Sequence, residues 1–237
     1  QTLVPLAGIN GLAFAFKDYQ TVWQAMDGEL GAFIREAIAK ANLHSFDRIL
    51  DNGFRNITNN VRPIVTPEDL SGIKLRTPSG EWRVKMFQAY GANPTPMSFS
   101  EVFTALQTGV VDGQENPLSQ ISSARFHEVQ DYLSMTGHVY TPAYVLVGQN
   151  RWNSFPEDVR QILEETAKET QAFVHENGER LDTELLDMIK AESDIEVNEA
   201  DKDAFIAASG PIYEEFGSEV EGGKEMIDKA ISLGQGS

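Results

Sequence analysis

Apolar and polar residues repeat along this chain with two different periods. Segments with the period of a helix alternate with segments that have the period of a strand. Between Tyr19 and about Ala41 apolar side chains recur at helical spacing, and this predicts helix. Between Ile73 and Thr77 apolar and polar residues alternate, as in a strand with one buried face. Helices that alternate with short apolar strands are typical of an α/β fold.

Local signals predict further short elements in the middle of the chain. The run Thr66-Pro67-Glu68-Asp69 predicts a helix start, and Gly72 ends that helix. Ser98-Phe99-Ser100-Glu101 is a capping box that opens a second helix, which Gly109 ends. We expect a brief strand and turn at 110–113, a helix over 118–133 and a strand over 138–147. In that strand Pro142 indicates an edge or a crossing between domains.

The longest periodic segment runs from about residue 154 to 190. It contains no internal proline and one glycine, Gly178. A single helix of this length would be roughly 50 Å long, which exceeds the width of a small domain. We expect one helix that lies across two lobes; two helices broken near Gly178 are the alternative.

Composition and charge exclude several classes of function. The chain has no cysteine, so disulfides, thiolate metal sites and cysteine nucleophiles are excluded. Its net charge of −17 disfavours nucleic acid and anionic membranes as partners. No stretch has the ~20 apolar residues that a membrane span needs. The chain opens at Gln1 without a basic leader or an initiator methionine, which predicts a mature or trimmed chain.

The motifs of common enzymes do not occur. The four histidines are scattered, and His175-Glu176 starts like the zinc-protease pattern but lacks its second histidine. Neither a nucleophile elbow nor a dinucleotide glycine fingerprint is present. We therefore expect a protein that is not an enzyme and that needs no cofactor and no metal.

Arg76 is the main candidate for binding chemistry. Alternation places Lys74 and Arg76 on one face of the predicted strand. A guanidinium offers a flat fork of donors that matches a carboxylate bidentately and stays charged in a cleft. From the residues alone, a surface or structural salt bridge is the ordinary role of such an arginine. Asn116 could likewise read a carboxylate or be a turn residue before Pro117.

An ordered set of motifs between Gly53 and Trp152 resembles the DctP-type solute-binding proteins of TRAP (tripartite ATP-independent periplasmic) transporters. The runs that carry the resemblance are Gly53-Phe54-Arg55-Asn56-Ile57-Thr58, Thr66 to Pro78 (TPEDLSGIKLRTP), Gly91 to Val102 (GANPTPMSFSEV), Ala105 to Pro117 (ALQTGVVDGQENP) and Thr136-Gly137-His138. Outside these runs, Ala13 to Asp18 (AFAFKD) looks like a weaker family stretch, with alanine where proline is usual.

The resemblance implies roles for four residues. Arg76 corresponds to the family's carboxylate-clamping arginine and Asn116 to its second ligand contact. Phe99 corresponds to a wall of the ligand pocket. Arg55 is either a second positive group near the same anion or half of an interdomain ion pair.

Three further side chains are weaker candidates for ligand contact. Trp82 and Tyr140 could stack against a sugar ring, although packing in a core or interface is their more ordinary role. Ser79 is a polar candidate just after the strand of Arg76. The two rings favour a sugar acid slightly over other organic acids.

The resemblance also implies two lobes with a ligand cleft between them. We predict that lobe I consists of residues 1–52 and 142–180, lobe II of residues 53–141 and 181–210, and that residues 211–237 form a C-terminal helical segment on the lobes. Family members carry an N-terminal segment before the region of residues 14–16. We expect this segment and its ligand contacts to be missing from the sequence, so that lobe I is incomplete.

The function implied is capture of a small carboxylate-bearing solute in the periplasm. The solute could be a sugar acid such as a uronate or aldonate, or a C4-dicarboxylate. Hinge closure would trap it for delivery to the membrane permease subunits, and the protein would be a monomer. A ligand-sensing module of the same fold and an α/β hydrolase or lyase stay open as alternatives.

Overall fold

A six-stranded mixed sheet forms the centre of the protein, here seen in a computed structural model that describes residues 3–12, 16 and 18–234. In chain order the strands are β1 (Leu43–Ser45), β2 (Leu50–Asn59), β3 (Lys74–Thr77), β4 (Asn93–Pro96), β5 (Gly113–Pro117), β6 (Tyr132–Ala143), β7 (Leu146–Gly148) and β8 (Glu196–Glu199). The large sheet has the order β4-β3-β5-β2-β6-β8, and β1 pairs with β7 in a separate ribbon.

Helices surround both sheets. They are α1 (Tyr19–Asp27), α2 (Glu29–Lys40), α3 (Glu81–Ala89), α4 (Phe99–Gln107), α5 (Leu118–Ser123), α6 (Gln149–Asn153), α7 (Glu157–Glu192), α8 (Lys202–Glu219) and α9 (Gly223–Gly234). Short 3-10 helices lie at Pro5–Gly11, Pro67–Leu70 and Phe126–Glu128. The predicted α/β fold is therefore confirmed.

Strand β3 has parallel partners on both sides, β4 and β5. The chain goes from β3 through α3 to β4, and then through α4 back past β3 to β5. From the carboxyl end of β3 the chain enters α3 on one face of the sheet, and from that of β5 it enters α5 on the opposite face, which opens a crevice at the carboxyl ends of β3 and β5. Such a topological switch point is where open α/β sheets bind ligands.

The long strands β2 and β6 connect two lobes. They pair antiparallel from Leu50 to Asn59, with register shifts after Asp51 and after Arg55. At the first shift Gly53 has φ of +101°, a conformation that L side chains rarely adopt, so the strand bends here. Strand β8 pairs only with the start of β6, so Pro142 has no ladder partner on that side within the described chain.

Three hydrophobic clusters correspond to this arrangement. One lies among α1, α2, α9, the end of α8 and the first 3-10 helix, and includes Val22, Leu30, Ile34, Phe216 and Met226. The other two cover opposite faces of the large sheet: Leu75, Met86, Phe87, Val139 and Phe205 on the side of α3 and α8, and Val102, Leu106, Ile121, Leu133 and Ile189 on the side of α4, α5 and α7. The first cluster belongs to one lobe and the sheet to the other.

Helix α7 is continuous over 36 residues, which at ~1.5 Å per residue is about 54 Å. It passes Gly178 without a break, so the single long helix predicted from the sequence is confirmed. Within α7, Gln171 donates to the main-chain oxygen of Ile49 in the first lobe, whereas Ile189 packs on the sheet side. The helix therefore spans both lobes.

Several predicted boundaries are wrong. The predicted helix over 118–133 ends at Ser123, because Arg125 adopts a left-handed conformation, and β6 already starts at Tyr132. The strand expected at 110–113 lies at Gly113–Pro117 instead. The helical region from Tyr19 is interrupted at Gly28.

Other predictions are not tested by this geometry. The lobe boundaries drawn from the sequence stay a prediction. Residues 13–15 and 17 of the family-like stretch lie outside the described residues.

Candidate functional site

Two of the candidate binding residues lie on β3 and β5, the strands whose carboxyl ends form the switch point. Arg76 is the third residue of the four-residue strand β3, and Asn116 is the fourth residue of β5. Helix α4 begins nearby at Phe99. The sequence-predicted residues Arg76, Asn116 and Phe99 are therefore brought to the region where this topology favours a ligand.

The Arg76 guanidinium is held by one main-chain oxygen. Its Nε and Nη2 donate to the oxygen of Met97 at 3.0 and 2.7 Å, and only 3% of the residue is exposed. These bonds use one edge of the fork. The Nη1 group makes no hydrogen bond to the described residues, so the end formed by Nη1 and the second Nη2 proton can donate two hydrogen bonds to a carboxylate.

Arg55 forms a buried ion pair with Glu115 on the neighbouring strand β5. Its Nε lies 2.5 Å from Oε2 and its Nη2 lies 2.9 Å from Oε1 of Glu115. Nη2 also donates to the Asn116 side-chain oxygen at 2.9 Å. Both strands belong to one sheet, so an ion pair is present but it does not join two domains. A contact between Arg55 and a ligand stays a prediction.

Asn116 is oriented by its neighbours. Its oxygen accepts from Arg55, and its amide nitrogen donates to the Gln114 side chain at 2.6 Å. The amide nitrogen retains one further proton for a ligand acceptor. Only 1% of Asn116 is exposed, so a turn role at the surface is excluded.

Three residues of this region, Arg83, Glu115 and His138, were not predicted from the sequence. Arg83 donates from Nη1 to Oε2 of Glu115 at 2.7 Å, and His138 Nε2 lies 3.1 Å from the same oxygen. All three side chains are buried. A signal for Arg83 existed, since the buried face of α3 has Trp82 beside it and Met86 after it, so a charged residue occupies a core-facing position.

We call Arg55, Arg76, Arg83, Glu115 and His138 the arginine cluster. Burial raises the pKa of Glu115, but the charges of Arg55 and Arg83 and a hydrogen bond from His138 outweigh it and hold this pKa well below its ordinary range. Burial lowers the pKa of Arg83 to about 10, and that of Arg76 is also lowered by burial.

The histidine of the cluster is fully buried and has a partner at each ring nitrogen. Its Nε2 lies 3.1 Å from Oε2 of Glu115, and its Nδ1 lies 2.7 Å from the Thr136 hydroxyl oxygen. Burial lowers the pKa of His138 despite the nearby carboxylate. The cluster therefore brings three guanidiniums and one imidazole together around the carboxylate of Glu115.

The predicted aromatic residues have different environments. Phe99 is 44% exposed and lies 5.9 Å from the Arg76 guanidinium, as expected of a pocket wall. Trp82 is buried against Phe216, and Tyr140 is buried with its hydroxyl donating to Asp51. Trp82 and Tyr140 therefore have the packing role that is the more ordinary one for such rings.

Ser79 lies in the turn between β3 and α3 and is exposed. It makes no side-chain hydrogen bond to the described residues. It can therefore reach a ligand only from the rim of the crevice.

A cavity of about 570 Å³ lies on the other side of β2 and β6, away from the side chains of Arg55 and His138. We call it the acidic cavity. Its charged lining has five acids and one lysine: Asp18, Glu179, Asp182, Glu199, Asp203 and Lys202. None of the residues predicted to bind the ligand lines it. Because like charges repel in a partly desolvated space, this cavity disfavours an organic anion.

Two carboxylates near the acidic cavity have raised pKa values. Burial raises the pKa of Asp51 to about 6, and a hydrogen bond from Trp23 opposes this rise. Burial also raises the pKa of Asp182, which accepts a 2.5 Å hydrogen bond from the Tyr19 hydroxyl.

Within the described residues, histidines and acids do not come together in groups of three or more that could hold a metal ion. In the same residues, each helix is either too short or too polar to cross a bilayer.

Residues 1–219 match the model of a protein family described as bacterial extracellular solute-binding protein, family 7. Among curated proteins, the C4-dicarboxylate-binding protein DctB of Bacillus subtilis (strain 168) is 33% identical over 98% of this chain and 66% of its own length. The chain spans 68% and 63% of two other curated relatives, so it covers about two thirds of such proteins.

Solved structures agree with this match. A TRAP periplasmic solute-binding protein from Sulfitobacter sp. NAS-14.1 with bound β-D-galacturonate has a TM-score of 0.92 and 29% identity, over 98% of this chain and 76% of that one. Another from Sulfurospirillum deleyianum DSM 6946 with bound succinate has a TM-score of 0.89 and 32% identity, over the same shares of both chains.

Proposed function

Because the chain belongs to the bacterial extracellular solute-binding proteins of family 7, we propose that it is the solute-capturing subunit of a TRAP transporter and that its solute is a small organic acid. The observation that carries this proposal is the open end of the Arg76 guanidinium at the switch point. That end is complementary to a carboxylate in geometry and in charge.

Arg76, Asn116 and Phe99 supply three kinds of contact to the acid. The Arg76 guanidinium donates to the carboxylate end-on. The free Asn116 amide proton donates to a second oxygen of the solute. Phe99 covers an apolar part of the solute beside the charged end. The Met97 main-chain oxygen holds the Arg76 guanidinium, and Arg55 holds the Asn116 amide, before the solute arrives. This order lowers the entropy lost on binding.

Capture depends on closure of the two lobes about β2 and β6. A solute shifts the population toward the closed form only if it binds that form more tightly. Arg83 supports such coupling, because Nη1 contacts Glu115 in the sheet and Nη2 donates to the Asn10 main-chain oxygen of the first 3-10 helix at 3.1 Å. Movement of the first lobe would therefore disturb the arginine cluster.

The partners and location follow from the family. The acid would be captured in the periplasm by a monomer, delivered to the permease subunits in the membrane and released unchanged. In a direct test, the protein is incubated with its acid and the solution is followed by NMR. Appearance of a product would contradict a pure binding role.

The test of the proposal is a thermal-shift screen of the protein against organic acids and matched neutral amides. A ligand that binds only the folded state adds about 2.7 kcal/mol at a hundredfold excess over its Kd. We expect a shift with an acid that is absent with its amide. A shift with neutral sugars only, or with no compound at all, would overturn the carboxylate assignment.

A further inference from the structure

A row of buried polar side chains leads from the candidate site into the interior of the large sheet. Its members are Asn116 and Gln114 on β5, Thr58 on β2 and Gln130 just before β6. We call these four residues the polar row. At most 4% of each is exposed. Burying a polar group is unfavourable unless it is hydrogen-bonded, so the bonds of the row indicate what it does.

Strand pairing places the polar row beside the predicted carboxylate contacts. In the antiparallel pair of β2 and β5, Thr58 lies opposite Gln114 and Asn56 lies opposite Asn116. Residues two positions apart on a strand have side chains on the same face, so Gln114 and Asn116 share one face. On its other side Gln114 is paired with Arg76 of β3. The row therefore begins next to Arg76 and Asn116.

Each member of the polar row is hydrogen-bonded to the next. Asn116 Nδ2 donates to Gln114 Oε1 at 2.6 Å, and Gln114 Nε2 donates to the Thr58 hydroxyl at 2.9 Å. The Thr58 hydroxyl donates in turn to Gln130 Oε1 at 2.9 Å. Three bonds thus connect Asn116 to a residue on the far side of β2.

The two ends of the row fix the direction of every bond in it. At one end Arg55 Nη2 donates to Asn116 Oδ1 at 2.9 Å, and a guanidinium cannot accept. At the other end Gln130 Nε2 donates to the main-chain oxygen of Val129 at 3.1 Å, and a carbonyl cannot donate. Reversing any one amide between these ends would bring two donors or two acceptors together. The Asn116 oxygen is therefore held on Arg55, and an amide proton is left for the solute.

On the basis of the proposed function, we propose that Gln114, Thr58 and Gln130 are positioning residues, which hold the Asn116 amide in the orientation that donates to the solute. Thr58 is central, because a hydroxyl that accepts from Gln114 has a single proton to give to Gln130. None of the three has to touch the solute. An amide that is ordered beforehand loses less freedom on binding, so breaking the row lowers affinity.

The main experiment removes the Thr58 hydroxyl. Thr58→Val keeps a β-branched side chain in the strand, whereas Thr58→Ser keeps the hydroxyl. Affinity is measured by calorimetry with whichever of succinate, D-galacturonate and D-galactonate gives the largest thermal shift. We expect Thr58→Val to bind about three- to tenfold more weakly, since the amide must then be ordered on binding. Thr58→Ser should bind like the wild type. Wild-type affinity in Thr58→Val would overturn the inference and leave the proposed function intact.

A double-mutant cycle shows whether Thr58 acts through Asn116. In Asn116→Ala the row has no amide left to orient, so adding Thr58→Val should cause no further loss of affinity. A loss of equal size in both backgrounds would show an effect that does not pass through Asn116, and it would overturn the positioning role.

A matched control separates positioning from a general loss of stability. Ser209→Ala removes another buried hydroxyl, which is bonded to Tyr90 at 2.6 Å on the side of α3 and α8. It should lower stability in urea and leave affinity unchanged. If it weakens binding as much as Thr58→Val does, affinity follows stability and the positioning role is overturned.

NMR of the solute-free protein tests the polar row without any acid. The bonded side-chain amide protons of Asn116 and Gln114 should exchange slowly with water in the wild type and faster in Thr58→Val. Fast exchange in the wild type would overturn the inference whatever binds.

Failure of the function gives a different result. If none of the three acids binds, the proposed function fails and the role toward a solute fails with it, even where slow exchange shows that the row is formed. If Thr58→Val does not fold, as judged by circular dichroism, Gln130→Met takes its place in the same comparisons, because it removes the last member of the row.

Discussion

Two polar regions lie beside β2 and β6, the arginine cluster and the acidic cavity. They have opposite charge, and their carboxylates have different kinds of hydrogen-bond donor. In the arginine cluster two of the three guanidiniums contact one carboxylate, whose pKa is held low. Near the acidic cavity, Asp51 and Asp182 have raised pKa values and are bonded to neutral donors, the Tyr140 and Tyr19 hydroxyls. A chain with net charge −17 thus concentrates positive charge in one buried place.

This difference shows why net charge does not predict the ligand. Long-range charge is screened beyond about 8–10 Å in physiological salt. Local groups therefore decide what each region can bind, and the two regions should respond differently to the same kind of change. The predictions below test that contrast, from the largest expected effect to the smallest.

Replacing Glu115 should destabilise the protein most. Glu115→Gln keeps the shape but leaves Arg55 and Arg83 buried without a counter-charge, which typically costs about 3–5 kcal/mol. Urea denaturation measures the loss. The matched control is Glu219→Gln, an exposed acid that pairs with Lys85, and it should cost under about 1 kcal/mol. Equal losses in the two variants would show that the cluster is not held together by Glu115.

Replacing Arg76 should affect binding far more than stability. Arg76→Met is expected to weaken affinity for the acid by about 2–5 kcal/mol, because it removes the partner of a desolvated carboxylate. Calorimetry gives the affinity and urea denaturation the stability. Lys74→Met, an exposed change on the same strand, should leave affinity unchanged. If both variants bind the acid like the wild type, the clamp assignment is wrong.

The two regions should have opposite pH dependences. The pKa of Asp51 is about 6 in the folded protein against an ordinary 3.8, so the folded state holds its proton more tightly. Stability from this group therefore falls as the pH rises from about 4 to about 6 and is constant above. Glu115 has a lowered pKa, so its contribution is present above its unfolded pKa and is lost as the pH falls through the folded value.

Asp51→Asn isolates the Asp51 contribution. Denaturation curves measured from about pH 4 to about pH 7 should show that the wild type loses stability relative to this variant as the pH rises. The acid affinity at neutral pH should stay the same. A constant stability difference between the two proteins across this range would contradict the raised pKa.

Removing the Tyr19 hydroxyl should have the smallest effect. Tyr19→Phe loses the hydrogen bond to Asp182 and should cost about 1–2 kcal/mol, since the carboxylate is left without that donor. Thermal unfolding measures this loss. Affinity for the acid should not change; a clear change would show that the acidic cavity takes part in solute binding.

The sequence determined the local elements that carry their own signals. Ser98 and Glu101 form the predicted capping box, and Gly109 adopts a positive φ just after α4. The period of apolar residues was sufficient for the long helix α7. The motifs resembling DctP-type proteins identified the family, which the match over residues 1–219 confirms. The ligand roles of Arg76, Asn116, Arg55 and Phe99 stay predictions.

Only the tertiary structure decided which charges meet. Arg55 and Glu115 are 60 positions apart, and Arg83 and His138 are 55 apart, so no sequence period relates them. They meet because β2 pairs with both β5 and β6 and because α3 packs on the same face of the sheet. Local propensity acts over a few residues, whereas charge acts through space. The net charge of the arginine cluster is therefore a property of strand pairing and not of the order of residues.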